Sequence, residues 1–175
     1  MPNRKIYAGI GSRKTPPEIL EIMTQIATKL ERRGWLLRSG GADGADTAFE
    51  DGVHDPANKI IYLPWKGFNG RQEEPDFVWK YTSEHEKIAH DCHPRWQFLK
   101  RGAKMLHTRN VAQVLGDDCK SPATVIICWT PDGKSSGGTG QALRIGRRNG
   151  VIVFNLHDQE TLEKFINLDS KNEQG

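Results

Sequence analysis

Short apolar runs alternating with amphipathic stretches predict an α/β chain, a single-domain Rossmann-like open parallel sheet of about five strands with helices on both faces. Three observations carry the prediction. Apolar runs of four to seven residues recur at 5–10, 35–38, 59–63, 124–130 and 151–156, too short for helices and rich in Ile and Val. Most of the intervals between them have helical periodicity. Gly-rich segments follow three of the runs, where strand-to-helix turns of such a sheet must lie.

The elements follow in order. KIYAGI (5–10) reads as a buried strand ending in Gly11-Ser12. Pro16 and Pro17 precede a helix over 18–33, whose Ile19, Ile22, Met23, Ile26 and Leu30 share one face; Pro17 suits a first turn and Gly34 a left-handed stop. WLLR (35–38) is a second strand, closed by Ser39-Gly40-Gly41, and a short helix runs over 44–51. KIIYL (59–63) is a third strand, halted by Pro64. Residues 65–76 read as loop. Residues 77–92 are polar with scattered aromatics and helical in part, broken at His93-Pro94. A helix over 95–115 places Leu99, Met105 or Leu106, Ala112 and Leu115 together. TVIICWT (124–130), apolar and β-branched, suits a central parallel strand. A Gly-rich turn feeding a helix over 137–149, a strand over 151–156 and a helix over Gln159–Ile166 complete the domain, taken as 1–168 with 65–115 as an elaboration of it and 169–175 as a polar tail.

Composition narrows the class. The 175 residues are 36% hydrophobic and 27% charged, as in folded globular chains, and the net charge of +3 is below that of a dedicated nucleic-acid binder. No run approaches a membrane span, and the basic start leads into no signal-peptide core, so no membrane association is expected. Cys92, Cys119 and Cys128 are an odd set without a CxxC, which fits a reducing cytoplasm.

In an open parallel sheet, ligands occupy the crevice at the carboxyl ends of the strands. Three loops fall there: Gly9-Ile10-Gly11-Ser12-Arg13, Ser39-Gly40-Gly41-Ala42-Asp43-Gly44-Ala45-Asp46, and Ser135-Ser136-Gly137-Gly138-Thr139-Gly140. Glycine admits close main-chain approach, and a following helix offers unpaired N–H groups, so phosphate is the natural guest. Ser12, Ser39, Ser136 and Thr139 add hydroxyl donors, and Arg13 a bidentate cation. Any one loop is better explained as a tight turn; the three together point to a site. Neither GxGxxG with a distal acid nor GxxxxGK[ST] occurs, which argues against dinucleotide and Walker-type sites.

These residues resemble the SLOG superfamily, which joins DprA (Smf) proteins with LOG phosphoribohydrolases, and the whole sequence is similar to stand-alone DprA-like proteins of bacteriophages. SGGADGAD (39–46) resembles the DprA loop SGGARGID; SGGTGQALR (136–144) resembles the LOG loop PGGxGTxxE; MLHTRNVAQ (105–113) resembles the LOG helix MHxRK, which places its arginine at Arg109. The resemblance departs at two positions. The LOG glutamate falls on Arg144, and a cation beside a developing oxocarbenium ion opposes N-glycosidic hydrolysis unless Asp43, Asp46, Glu50 or Asp132 substitutes. The DprA arginine falls on Asp43, which would repel a DNA backbone but suits ribose hydroxyls.

The resulting expectation is a non-catalytic site for a nucleotide-derived small molecule, phosphate plus ribose. Its residues are Gly11, Ser12, Arg13, Ser39, Gly40, Gly41, Asp43, Asp46, Gly137, Gly138, Thr139 and Gly140, with Arg109, Lys134 and Arg144 as basic walls and Trp129 as a stacking platform. No cofactor, metal or catalytic residue is assigned. The resemblance further implies a homo-oligomer and sequestration of an ADP-ribose-type immune signal in the host cytoplasm. Two alternatives stand beside it: DprA-like single-stranded DNA binding, through Arg95, Lys100, Arg101 and Lys104 with Trp96 and Phe98 interleaved, and nucleotide N-glycosidase activity. The bland account of that basic stretch is a helix whose cations face water. Likewise EHEKIAHDCH, with His85, His90, Cys92 and His93, reads either as metal ligands or as a solvated helix end.

Overall fold

The structure is a computed structural model that describes residues 3–168, so the tail expected over 169–175 lies outside the described residues. Its strands are β1 (Ile6–Gly9), β2 (Leu36–Ser39), β3 (Lys59–Tyr62), β4 (Phe77–Val78), β5 (Val125–Cys128) and β6 (Ile152–Asn155). Its helices are α1 (Pro17–Arg32), α2 (Ala45–Asp51), α3 (Ser83–Asp91), α4 (Arg101–Leu115), α5 (Gly137–Arg148) and α6 (Gln159–Ile166). All strands pair in parallel, in the order β4-β3-β2-β1-β5-β6.

The sheet therefore has six strands rather than five. β4 is only two residues, Phe77 and Val78 opposite Ile61 and Tyr62, and carries too little sequence for a period to show. A second difference lies in 95–115: a 3₁₀ turn at Trp96–Phe98 precedes α4, which begins at Arg101.

Successive strand residues point to opposite faces, and the two cores follow this alternation. Ala8, Ile126 and Cys128 face one layer, packed on Val111, Val114 and Leu115 of α4 and Leu143 and Ile145 of α5. Tyr7, Leu37 and Ile127 face the other, with Ile19, Met23, Ile26 and Leu30 of α1 and Phe49 of α2. Each of those large apolar side chains stabilises the fold by about 2 kcal/mol on leaving water.

Helices α1 and α2 pack closely because Gly52, at the end of α2, lies against α1. Thr24 Oγ1 donates to Ala48 O at 2.8 Å, Thr28 Oγ1 donates to Gly52 O at 2.8 Å, and a Cβ on Gly52 would overlap the Thr24 carbonyl oxygen. Backbone cannot yield there as a side chain can. Gly52→Ala is expected to destabilise the protein by about 3 kcal/mol, read as a lower urea midpoint at unchanged slope.

Candidate functional site

The chain lays down β1, β2 and β3 toward one edge and then returns to place β5 on the other side of β1. Loops leaving β1 and β5 thus diverge to opposite faces, and the gap between them is the topological switch point of the sheet. A cavity of about 530 Å³ opens there, bounded by Gly11–Lys14 after β1, Thr130 and Pro131 after β5, the start of α5, and one face of α4.

The α5 wall is main chain. Ser136 precedes the helix without a side-chain cap, and Gly137, Gly138 and Thr139 line the cavity. The first N–H groups of a helix have no intrahelical acceptor and carry its positive dipole end, so this wall attracts anions. Asn110 of α4 fixes it by donating from Nδ2 to Gly138 O at 3.2 Å. Opposite, the β1 loop turns on Ser12, whose Oγ accepts from Lys14 N at 3.0 Å and whose carbonyl accepts from Thr15 Oγ1 at 2.6 Å. Arg13 and Lys14 stand exposed at the rim. Only glycine fits at 11, because a Cβ there would lie 2.7 Å from Ala45 Cβ and 3.0 Å from Trp129 O.

The floor is side chain and buried. Arg109 is 6% exposed; its Nε donates to Asn110 Oδ1 at 3.1 Å, and its Nη1 donates to Gly40 O and, at 3.2 Å, to Tyr62 O. Asp46, 5% exposed, accepts from Ala42 N at 3.3 Å through Oδ2. Burial pushes its carboxyl up to about 6 against the opposing pull of Arg109 and Ala42 N–H. Burial likewise lowers the Arg109 guanidinium from its ordinary value, while Asp46 raises it.

His107 occupies the same wall in one tautomer. Gln141 Nε2 donates to Ala89 O at 3.1 Å, which turns Gln141 Oε1 toward α4, where it accepts from Asn110 Nδ2 at 3.2 Å and from His107 Nδ1 at 2.9 Å. The proton is thereby assigned to Nδ1 and the lone pair to Nε2. Burial lowers the His107 pKa against the opposing Gln141 hydrogen bond, and the cations Arg144 and Arg109 lower it further, which favours the neutral ring with Nε2 as an acceptor.

Of the residues expected at the site, Gly11, Ser12, Arg13, Asp46, Arg109, Gly137, Gly138 and Thr139 line the cavity. The others do not. Ser39 is buried, its hydroxyl donating to Gly9 O at 2.6 Å to tie β2 to β1. Gly40 and Gly41 lie behind the wall: Gly40 O takes the Arg109 bond, and Gly41 O accepts from Arg71 Nε at 3.1 Å. Asp43 faces outward and accepts from Asn69 Nδ2 at 2.9 Å. Trp129 contributes main chain beside Gly11, but its ring packs with the α1 layer and lies 5.9 Å from the His157 ring. Lys134 is exposed in the turn capped by Asp132, and Gly140 is buried in the first turn of α5, where a Cβ would run into Ser135 O. Arg144 points away, donating to Cys92 O at 3.3 Å and Ser135 O at 3.4 Å. Glu50 is paired with Arg71 at 2.7 Å, so among the four carboxylates that could replace a catalytic glutamate, only Asp46 reaches the cavity.

Sequence reasoning missed Lys14, His107, Asn110 and Gln113. Polar residues at 107, 110 and 113, three apart and interleaved with apolar Leu106, Val111 and Val114, are the signal of a polar stripe on a buried helix. The histidine segment is dispersed. His85 is buried with Nδ1 accepting from Thr82 N at 3.1 Å and Nε2 on Gly116 O at 3.0 Å; His90 lies outside beside Asp91, and the His93 ring lies tilted against His107, centroids 4.6 Å apart. Among the described residues no group of three or more His, Cys, Asp or Glu could hold a metal ion. No helix among them is long and apolar enough to cross a membrane.

No protein-family profile matches the chain, and no curated protein matches it. Among solved structures, the chain is similar to DNA processing protein A from Helicobacter pylori, a protein described by its single-stranded DNA binding. The TM-score is 0.56 at 17% identity, over 97% of this chain and 81% of that one. At that identity the likeness speaks for the fold alone, a parallel α/β sheet with helices around it.

Proposed function

We propose that the switch-point cavity binds a nucleotide-derived ligand, phosphate against the α5 N-terminus and sugar against the α4 floor, without turning it over. The observation that carries this reading is convergence: α5 main-chain amides, the Arg13–Lys14 rim and a buried polar floor bound one cavity of about 530 Å³. The reading without turnover rests on Arg144 standing where the resembling hydrolases place a glutamate, and on Asp46, the one carboxylate among the described residues that line the cavity, being buried and already engaged by the Ala42 amide.

A panel of pyrophosphate, adenosine 5′-monophosphate, ADP-ribose and cyclic ADP-ribose tests it by thermal shift. A ligand at about 100 times its Kd raises the melting temperature by about 5–10 °C, and chromatography recovers it intact. A flat panel defeats the reading, and recovery of free base would replace it with N-glycosidase activity.

One observation favours a second reading, single-stranded DNA. Phe98 is 75% exposed beside Arg95, Lys100 and Arg101, and Trp65 is exposed 4.0 Å from the position of a Cβ on Gly102. Exposed rings among cations suit base stacking, and the fold is that of a protein known to bind single strands. Oligonucleotide binding that falls steeply with salt and is lost in Lys100→Glu, Arg101→Glu, Lys104→Glu supports it. No retention of oligonucleotide in low salt removes it.

A further inference from the structure

Gln113 is the least explained polar side chain in the cavity. It is 2% exposed, no hydrogen bond to its amide occurs among the described residues, and it faces the cavity from the last polar step of the α4 stripe. Its neighbours are set by Gly40: a Cβ there would run into Gln113 Nε2 and Arg109 Nη1 and lie 2.7 Å from Asp46 Oδ2. An amide, a guanidinium and a carboxylate thus crowd a single point at the end of β2.

Resting on the proposed nucleotide site, we infer that Asp46 and Gln113 read the cis-diol of a ribose, so that the cavity selects ribonucleotides over deoxyribonucleotides. The chemistry of the groups leads there. Ionised Asp46 only accepts, Arg109 only donates, and the Gln113 amide does both. A hydroxyl also does both, so two adjacent hydroxyls can satisfy the carboxylate and the amide together. A flat base edge cannot enter among groups packed this tightly around Gly40, whereas small hydroxyls can meet them from the cavity side. The spacing agrees. β2 lies two strands from β5, about 10 Å, which matches one phosphorylated sugar reaching from the α5 amides to the floor. Gly40 is required by the same geometry, since any side chain would displace the trio.

The test is calorimetric titration with adenosine 5′-monophosphate, its 2′-deoxy counterpart and pyrophosphate. Wild-type protein is expected to bind the ribonucleotide at least about 100-fold tighter than the deoxynucleotide, because the missing hydroxyl leaves buried polar groups unpaired. In Gln113→Leu, which replaces an unpaired amide by an apolar group of similar size, that ratio collapses toward unity while pyrophosphate binding is unchanged. Asp46→Asn, which keeps the size and loses the charge, also narrows the ratio. Equal affinity for both nucleotides with pyrophosphate still bound overturns the diol inference alone. A ratio that survives both substitutions also overturns it. Failure of all three probes to bind overturns the nucleotide site with it.

Discussion

Substituting Arg109 by leucine lowers the melting temperature by about 10 °C at pH 8 and by clearly less at pH 5. Arg109 is buried, and its removal takes donors away from Gly40 O, Tyr62 O and Asn110 Oδ1. It also removes the cation that holds the Asp46 carboxyl down toward about 6. Leaving a buried charge without its counter-charge costs about 3–5 kcal/mol, which for a chain of this size is the stated shift in melting temperature. The pH dependence follows from the direction of the Asp46 shift. Its folded pKa is raised, so the stability it contributes is complete below the ordinary carboxylate range and is lost as pH rises through about 6. Without Arg109 that pKa rises further, and the penalty grows between pH 6 and 8. At pH 5 Asp46 is already protonated and only the hydrogen-bond losses remain. Urea titrations of both proteins at the two pH values measure this, and an equal loss at both would show that Arg109 does not neutralise Asp46.

Gly138→Asp should separate stability from binding, moving them in opposite directions. A Cβ at Gly138 meets nothing within 4 Å, so the side chain is accommodated. A carboxylate in the first turn of α5 interacts favourably with the helix dipole, adding about 0.5 kcal/mol. The same carboxylate stands where a bound phosphate would. Two like charges about 4 Å apart at an effective dielectric near 20 repel by about 4 kcal/mol, so affinity for pyrophosphate or adenosine 5′-monophosphate falls by more than 100-fold. A variant that melts slightly higher and still binds these anions normally would place the phosphate elsewhere.

Much of the architecture was legible because its causes are local. Strands buried on both faces need contiguous apolar residues, and Ile6–Gly9, Lys59–Tyr62 and Val125–Cys128 have them. Helix α1 announces itself through Pro17, its apolar spacing and Gly34, which adopts φ +81° as a left-handed stop must. The phosphate-suited turns at Gly11–Arg13 and Gly137–Thr139 were legible for the same reason, and both border the cavity.

The alternation of strands and helices, the loops that meet at the strand ends, and the inclusion of Asp46 and Arg109 among the candidates all follow from local pattern. Which polar groups turn inward is set by packing between distant segments. Ser39, Asp43, Trp129, Lys134 and Arg144 looked equally suitable, yet each is engaged elsewhere, by Gly9, Asn69, the α1 layer, the Asp132 turn and Cys92 respectively. His107, Asn110 and Gln113 instead enter the cavity because the rotation of α4 about its axis is set by packing Val111, Val114 and Leu115 on the sheet. That rotation depends on contacts between segments far apart along the chain, so the spacing of 107, 110 and 113 marks a polar stripe on the helix but not the cavity that the stripe lines.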